Sequence, residues 1–319
     1  MSEHERDSLQ PSFDDEIDLR ELFAVLWLNK KFIATFTTFV AFVSLLYSLS
    51  LSNIYTAQTL LTPTMSSNSS GLLSQYAGLA SMAGVNLPSG GNENHLHIAL
   101  KLVHSKKLLD RLIEYESFLP DLLAAKSWSM QTNTVNYDQT LYDKKNKKWV
   151  RKVSLPFKQI PSSQESLEEF LKLVSISQDN KTQLVKLNVD HLSPVVAQQW
   201  SLWIVKEINT ILANMEIVNS QASIDYLNRQ IQITPYSELR TMFYELIQES
   251  TQSMMLAKVN PEYVLTTIDP PVIPEIKSKP NRALICILTT LLGAMLSILI
   301  VLFRKYGLSK DHPLDIYRL

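Results

Sequence analysis

The side chains that could carry chemistry form no pattern typical of a catalytic or metal site. His95 and His97 are the nearest approach to a pair of metal ligands, but no third ligand lies near them in the sequence. Protein zinc sites need three or four ligands, so we interpret both histidines as ordinary surface or core residues. Glu168 and Glu169 are adjacent carboxylates at the acidic start of a predicted helix. Their negative charges there interact favourably with the positive end of the helix dipole. The sequence predicts no catalytic residue, no metal and no cofactor.

The motifs of common enzyme classes are also missing from the sequence. It contains no phosphate-binding G-x-x-x-x-G-K-[ST], no G-x-S-x-G and no H-E-x-x-H. The single cysteine, Cys286, lies in an apolar run, so the rest of the chain has neither a disulfide nor a thiolate metal site. Residues 53–282 contain 22 Lys and Arg against 21 Asp and Glu, a balance that argues against nucleic-acid binding. We therefore expect a protein that is not an enzyme.

Two long uncharged runs predict transmembrane helices at residues 32–52 and 283–303. About 20 helical residues span the hydrocarbon core of a bilayer, and soluble core helices of that length rarely lack every charge. A cleaved signal peptide would begin with a short basic segment, whereas residues 1–31 are acidic. Two buried core helices and a signal peptide are therefore the less favoured alternatives.

Flanking charges predict that both ends of the chain lie in the cytoplasm. Lys30 and Lys31 precede the first span, and Arg304 and Lys305 follow the second. Three basic residues just before the second span argue the other way, but the positive-inside rule applies poorly to so long a loop. Residues 1–31 form a cytoplasmic tail with an amphipathic helix, or simply a helical extension of the span, and residues 304–319 form a second cytoplasmic tail.

Residues 53–282 are predicted to fold as one α+β domain with a small mixed sheet and long extended helices. Alternating apolar residues predict strands at 54–62, at 174–189 around a turn, and at 263–268. A packed helix is expected at 71–85 and two short helices at 92–116. The lysine-rich run near residue 145 is interpreted as a solvated turn.

A heptad pattern predicts a long helix at 194–233 that begins at the Ser193-Pro194 start signal. A second helix at 236–258 is expected to return antiparallel to it. The heptad positions predicted to pack against another helix or another copy are Ile204, Ile208, Ile211, Met215 and Val218.

A proline-rich linker at 269–280 precedes the second span. Proline fixes φ, so a stiff segment could transmit the position of the domain to the membrane. The residues predicted to couple the two are Pro270, Pro271, Pro274 and Pro280.

Several strings resemble the Wzz family of polysaccharide co-polymerases, the chain length determinants of O-antigen. The most specific is DPPVIPEIKSKPNRALI, which leads into the second span. Weaker ones occur in the expected order, namely IDLRELFAVLW, LSQYAGLASMAGV, NKKWVRKV and SISQDNKTQLVKLNVDHLSPVVAQQW. The resemblance covers nearly the whole chain.

The resemblance implies a multi-pass protein of the bacterial inner membrane with a periplasmic α/β domain. Members form homo-oligomeric rings, have no catalytic residues, and control how far a Wzy-type O-antigen polymerase extends a lipid-linked polysaccharide. The partners implied are thus the polymerase, the glycan, membrane lipid and further copies of the chain. The alternative function is a two-span component of a capsular or exopolysaccharide export machine.

The second span departs from the repeated glycines that are frequent in the family. Only Gly293 is present, with Ser297 one turn later. Such a small-xxx-small pair allows close helix packing, but a lipid-facing glycine is an equal alternative.

Overall fold

The computed structural model describes residues 19–64 and 92–307. The chain divides into two compact units: a span unit, residues 1–52 and 280–319, and a large unit, residues 53–279. The helix expected at 71–85 lies outside the described residues, as do most of the two predicted tails.

Nine helices and eight strands occur in the described ranges. The helices are α1 (Leu19–Leu28), α2 (Lys30–Ser50), α3 (Asn92–Leu102), α4 (Lys106–Ile113), α5 (Phe118–Leu123), α6 (Ser163–Leu173), α7 (Pro194–Ile233), α8 (Ser237–Val259) and α9 (Arg282–Leu302), the last continuing into a π-helical turn, Phe303–Gly307. The strands are β1 (Tyr55–Pro63), β2 (Ala125–Ser129), β3 (Thr134–Tyr137), β4 (Tyr142–Asp143), β5 (Lys148–Trp149), β6 (Val174–Gln178), β7 (Val185–His191) and β8 (Leu265–Asp269).

The main sheet of the large unit has four antiparallel strands in the order β6-β7-β1-β8. Strand β1 lies between the β6–β7 hairpin and β8. The last strand therefore joins the sheet through β1 and makes no pair with the hairpin. Alternate residues of β1, Ala57, Thr59 and Leu61, are buried on the face that meets the helices. The predicted α+β class with long helices is confirmed, whereas the prediction of a mixed sheet is wrong, since every strand pair in the main sheet is antiparallel.

The core of the large unit lies between this sheet and the first half of α7. Trp200, Ile204 and Ile208 project from α7 and are fully buried. The ring of Trp200 lies 4.5 Å from that of Phe118 in α5. Phe170 of α6 also packs against Phe118, with ring centroids 6.1 Å apart. These contacts join α5, α6 and α7, and Leu61 and Leu187 of the sheet lie in the same core.

Helix α7 is 40 residues long, about 60 Å at the usual rise per residue. Ser193 caps it by accepting a hydrogen bond from the backbone N–H of Val196, and Pro194 occupies its first turn. The helix ends at Ile233, before Pro235, which cannot continue a helix. Helix α8 returns beside it, and Leu227 of α7 packs with Phe243 and Leu246 of α8 in a second small core.

The span unit contains two helices long and apolar enough to cross a membrane, Lys30–Ser50 and Arg282–Lys305. Helix α1 precedes the first of them, separated only by Asn29. Phe23 and Trp27 of α1 are exposed with their rings stacked 6.0 Å apart, and the ammonium group of Lys30 lies 4.4 Å from the ring of Trp27. An exposed aromatic pair beside a lysine suits a membrane interface.

Candidate functional site

The predicted heptad seam of α7 is divided between two environments. Ile204, Ile208 and Ile211 are buried in the core of their own large unit, and Met215 packs against the edge of that core. Val218, one turn further on, is 66% exposed. The three isoleucines of the seam therefore hold α7 to its own sheet. That the seam also makes contacts between copies stays a prediction. Val218 is the seam residue that is accessible for such a contact.

Asn209 joins α7 to the last strand of the sheet through three buried hydrogen bonds. Its Oδ1 accepts from the backbone N–H groups of Val264 and Leu265, each at 2.9 Å. Its Nδ2 donates to the carbonyl oxygen of Leu265, also at 2.9 Å. One side chain thus satisfies three backbone groups where β8 begins, and it fixes α7 relative to that strand.

A second polar contact holds α7 to α4. Glu207 is buried, and its carboxylate accepts hydrogen bonds from Arg111 Nε at 3.2 Å and from the Tyr115 hydroxyl at 2.8 Å. The ring of Tyr115 stacks on Trp203 at 4.3 Å. Burial, together with the bond to Glu207, raises the pKa of Tyr115 to about 12, so this hydroxyl remains a donor at neutral pH.

A third polar group is buried where β7 meets α7. The backbone N–H of Ser193 donates to Nδ1 of His191 at 3.0 Å, so the ring proton of neutral His191 is on Nε2, which lies 3.1 Å from the carbonyl oxygen of Asp121. The Tyr137 hydroxyl donates to the Asp121 carboxylate at 2.6 Å. Burial lowers the pKa of His191 and raises the pKa of Asp121.

These shifts predict that the large unit becomes less stable as the pH falls below about 6.5, the ordinary pKa of histidine. His191 is held neutral in the folded state, so the unfolded chain binds the extra proton and the free energy of unfolding falls with decreasing pH. One such proton contributes at most about 1.4 kcal/mol per pH unit. Asp121 acts in the opposite direction, since its raised pKa favours the protonated folded form.

Comparison of the wild type with His191→Gln isolates the contribution of His191 to the pH dependence of stability. Unfolding monitored by circular dichroism between pH 7 and pH 5 should show a steeper loss of stability for the wild type. Equal slopes for the two proteins would show that His191 is not protonated on unfolding.

A shallow cleft of about 460 Å³ lies beside α4 and α7, lined by Lys107, Arg111, Thr210, Ile211, Asn214, Met215, Val218 and Asn219. It contains no arrangement typical of catalysis. His95 and His97 do not come together as ligands: Nε2 of His95 lies 3.7 Å from Glu216, while His97 is exposed. No group of three or more potential metal ligands occurs in residues 19–64 and 92–307.

In the span unit, Gly293 lies at the contact between α2 and α9. A Cβ atom placed on Gly293 would lie 2.8 Å from Cγ1 of Val40, too close without a shift of one helix. Ser297, one turn along, is fully buried, and the hydroxyls of Ser44 and Thr289 are hydrogen-bonded at 2.5 Å. Of the two alternatives left open by the sequence, the structure supports close packing of Gly293 within the chain.

Three of the four prolines, Pro270, Pro271 and Pro274, lie in a segment without helix or strand at the end of the large unit. The carbonyl oxygen of Pro271 accepts a hydrogen bond from Gln198 of α7 at 3.0 Å. Further along, the backbone N–H of Ile54 donates to the carbonyl oxygen of Lys279 at 2.9 Å. The segment is therefore tied to both α7 and the chain just before β1. Pro280 is the first residue after it and belongs to the span unit.

Residues 15–114 match the family model described as chain length determinant protein, Wzz. This part of the chain is therefore a Wzz chain length determinant domain. The matched part runs from the N-terminal region through the first span and β1 to the end of α4. The coarse function that the match supports is that of a polysaccharide co-polymerase of the chain length determinant type.

A second family model, described as G-rich domain on putative tyrosine kinase, matches residues 231–306. It covers α8, β8, the proline-rich segment and the second span. No curated protein matches the chain significantly. The likeness to chain length determinants therefore rests on the match of residues 15–114.

Two solved structures are similar to this chain at low identity. One is a full-length bacterial polysaccharide co-polymerase, 14% identical, with a TM-score of 0.37, covering 92% of this chain and 99% of that chain. The other is a fragment of WzzB, the polysaccharide co-polymerase from Salmonella Typhimurium, 14% identical, with a TM-score of 0.28, covering 71% of this chain and 100% of that chain.

The Gly293 contact predicts a measurable effect on the stability of the span unit. Gly293→Ala should weaken the pairing of α2 and α9 by about 1–3 kcal/mol, because the added methyl overlaps Val40. Thermal unfolding of the detergent-solubilised full-length protein would report the loss. The double variant Val40→Ala/Gly293→Ala should recover most of it. Leu296→Ala, at an exposed position of the same helix, is the control. No recovery in the double variant would contradict the assigned contact.

Proposed function

We propose that this chain regulates the length of the O-antigen of lipopolysaccharide. It would act as a non-catalytic homo-oligomeric scaffold in the bacterial inner membrane, with the large unit in the periplasm. Its target would be a Wzy-type polymerase that extends a lipid-linked polysaccharide. The observation that carries the proposal is the match of residues 15–114 to the chain length determinant family.

The structure supports a scaffold in two ways. Two helices can cross a membrane, and a 40-residue helix is fixed to β8 by Asn209 and to α4 by Glu207. A long rigid helix held at one end can present the same surface repeatedly in an oligomer. Exposed Val218 on that helix is the heptad residue that we propose for contacts between copies.

A second candidate function is a part in the synthesis or export of capsular or exopolysaccharide. The match of residues 231–306 to a domain described on a putative tyrosine kinase favours it. The two functions differ in the phenotype that they predict. Loss of a length regulator changes the distribution of chain lengths, whereas loss of an export component removes the surface polymer.

The test is a gel profile of lipopolysaccharide from cells with the gene, without it, and with it restored. A length regulator predicts a cluster of chain lengths that becomes an unregulated spread on deletion and returns on complementation. Disappearance of long polymer would favour the export function. An unchanged profile would contradict the O-antigen assignment, and capsular and exopolysaccharide should then be measured in the same strains.

The proline-rich segment should influence glycan length. Replacing Pro270, Pro271, Pro274 and Pro280 with alanine loosens the segment, so the modal length should shift towards the unregulated spread while the protein is still made and inserted. Pro261→Ala, an exposed proline between α8 and β8, is the matched control. The measurement is the lipopolysaccharide profile at equal protein level, and unchanged lengths in the fourfold variant would refute coupling through these prolines.

A further inference from the structure

Residues 144–160 form the most concentrated basic segment of the large unit. The segment KKNKKWVRKVSLPFKQI contains seven Lys and Arg residues and no Asp or Glu. It begins in the turn between β4 and β5 and continues as the irregular stretch that leads towards α6. The proposed function gives this segment no role.

Arg151 folds the irregular stretch into a defined loop. Its Nη2 donates to the carbonyl oxygen of Lys158 at 2.6 Å, and its Nε donates to that of Gln159 at 2.9 Å. The same guanidinium pairs with the Glu165 carboxylate of α6. The loop therefore has an internal framework, and the apolar side chains that it exposes are held outwards.

Those apolar side chains are unusually accessible. Leu155 is 93% exposed, Ile160 65% and Phe157 53%. Lys152 and Lys158 are exposed in the same loop, as is Lys148 in β5, and none of these three makes an ion pair within residues 19–64 and 92–307. Large apolar groups interleaved with unpaired lysines are typical of segments that lie in the headgroup region of an anionic bilayer. Phenylalanine and leucine enter the acyl boundary there, and lysine stems extend along it to the phosphates.

The loop is attached to the part of the large unit where the chain enters β1. Tyr55, the first residue of β1, contacts Trp128 of β2 with ring centroids 5.5 Å apart. A further row of rings connects β3 to β4 and β5, with Tyr137 to Tyr142 at 5.6 Å and Tyr142 to Trp149 at 5.3 Å. Trp149 immediately precedes the loop.

Few residues separate β1 from the first candidate span. Helix α2, the first candidate span, ends at Ser50, and β1 begins at Tyr55. Five residues extend over at most about 18 Å.

We propose that residues 144–160 are a membrane-surface contact that binds anionic phospholipid headgroups. Lys148, Lys152 and Lys158 meet the phosphates, while Leu155, Phe157 and Ile160 enter the interface. We choose this partner because the segment is basic and has no acidic residue, so its charge is complementary to that of an anionic bilayer. The inference holds whichever glycan the protein regulates, so the lipopolysaccharide profile and the experiment below can fail separately.

The test uses the full-length protein with Cys286→Ser and one new cysteine, Leu155→Cys, labelled with a small fluorophore. The protein is reconstituted into vesicles of brominated phosphatidylcholine, with or without phosphatidylglycerol. The label at position 155 should be quenched by the brominated chains when phosphatidylglycerol is present. A label at Val218→Cys, exposed on α7, is the control and should stay unquenched in both vesicles.

Charge-neutral variants then test the headgroup contact. Lys152→Gln/Lys158→Gln should abolish the lipid-dependent quenching at position 155. Lys206→Gln/Lys258→Gln removes two exposed lysines from α7 and α8 and should leave it intact. Circular dichroism spectra that match the parent protein would show that each variant is folded.

Three outcomes would overturn the proposal. The first is an unquenched label at position 155 in anionic vesicles, and the second is equal quenching with and without phosphatidylglycerol. The third is excimer emission from pyrene at position 155 in detergent without lipid, which would make the loop a contact between copies of the chain.

Discussion

Replacing Trp200 with alanine is expected to lower the free energy of unfolding of the large unit by about 3–5 kcal/mol. Trp200 is the largest fully buried side chain of the described core. It contacts Phe118 of α5 at 4.5 Å and His191 of β7 at 5.2 Å between ring centroids. Removing it leaves a cavity where α7, α5 and the sheet meet, and the surrounding helices can fill it only in part.

Trp200→Phe is the informative companion variant. Nε1 of Trp200 is buried and has no hydrogen-bond partner in the part of the chain that the structure describes. Phenylalanine therefore loses volume but no hydrogen bond, and the cost should be less than half of that of alanine. Leu202→Ala, half exposed on the same helix, should change stability by no more than about 0.5 kcal/mol.

Urea unfolding of the detergent-solubilised full-length protein, followed by near-ultraviolet circular dichroism, measures these differences. The two spans remain helical in detergent, so the near-ultraviolet signal reports packing around the aromatic core. A loss below about 1 kcal/mol for Trp200→Ala would contradict the core described above.

Asn209→Ala should have the second largest effect, a loss of about 3 kcal/mol or more. The substitution leaves three buried backbone groups without partners, the N–H groups of Val264 and Leu265 and the carbonyl of Leu265. Each unsatisfied buried group costs about 1–3 kcal/mol, with some relief if water enters. Asn214→Ala, on the exposed side of α7, is the matched control and should be nearly neutral.

Hydrogen exchange can show that the Asn209 effect is local to the junction of α7 and β8. In Asn209→Ala the amide protons of Val264 and Leu265 should lose protection more than those of the β6–β7 hairpin. Uniform loss of protection throughout the large unit would instead make Asn209 a general contributor to stability with no special role at β8.

The long helix and the β6–β7 hairpin could be predicted because their signals are local. Ser193 and Pro194 define a helix start by capping chemistry, and Pro235 defines its end through the missing N–H. Alternation from Val185 to Val189 follows directly from burial of one strand face. Such signals need only neighbouring residues.

The polar contacts of α7 could not be predicted because their partners are distant in the chain. Asn209 bonds to residues 55 and 56 positions away, and Glu207 bonds to a residue 96 positions away. Within the heptad pattern, Asn209 and Glu207 cannot be told from ordinary exposed polar residues. The burial of Ile204 and Ile208 against the sheet, where a helical partner was expected, depends on the same three-dimensional packing.

The Gly293 and lysine-rich segments show the same limit. A small residue in an apolar span is compatible with lipid or with a neighbouring helix, and only the position of Val40 decides between them. The run near residue 145 predicted a turn, and a turn is present between β4 and β5. The outward display of Leu155 and Phe157 depends on the Arg151 bonds, which periodicity cannot reveal.

The large unit begins and ends at the same place. The backbone N–H of Ile54 donates to the carbonyl oxygen of Lys279, and the N–H of Ser278 donates to the carbonyl oxygen of Ile54, each at 2.9 Å. A domain whose two ends touch can be inserted into another chain without spreading the ends of its host. The large unit is therefore a domain that can be exchanged as a whole between chains, which we call a cassette. Chimaeras that exchange it between paired spans of different relatives, with junctions at Asn53 and Lys279, should fold and would separate the contributions of cassette and spans to glycan length.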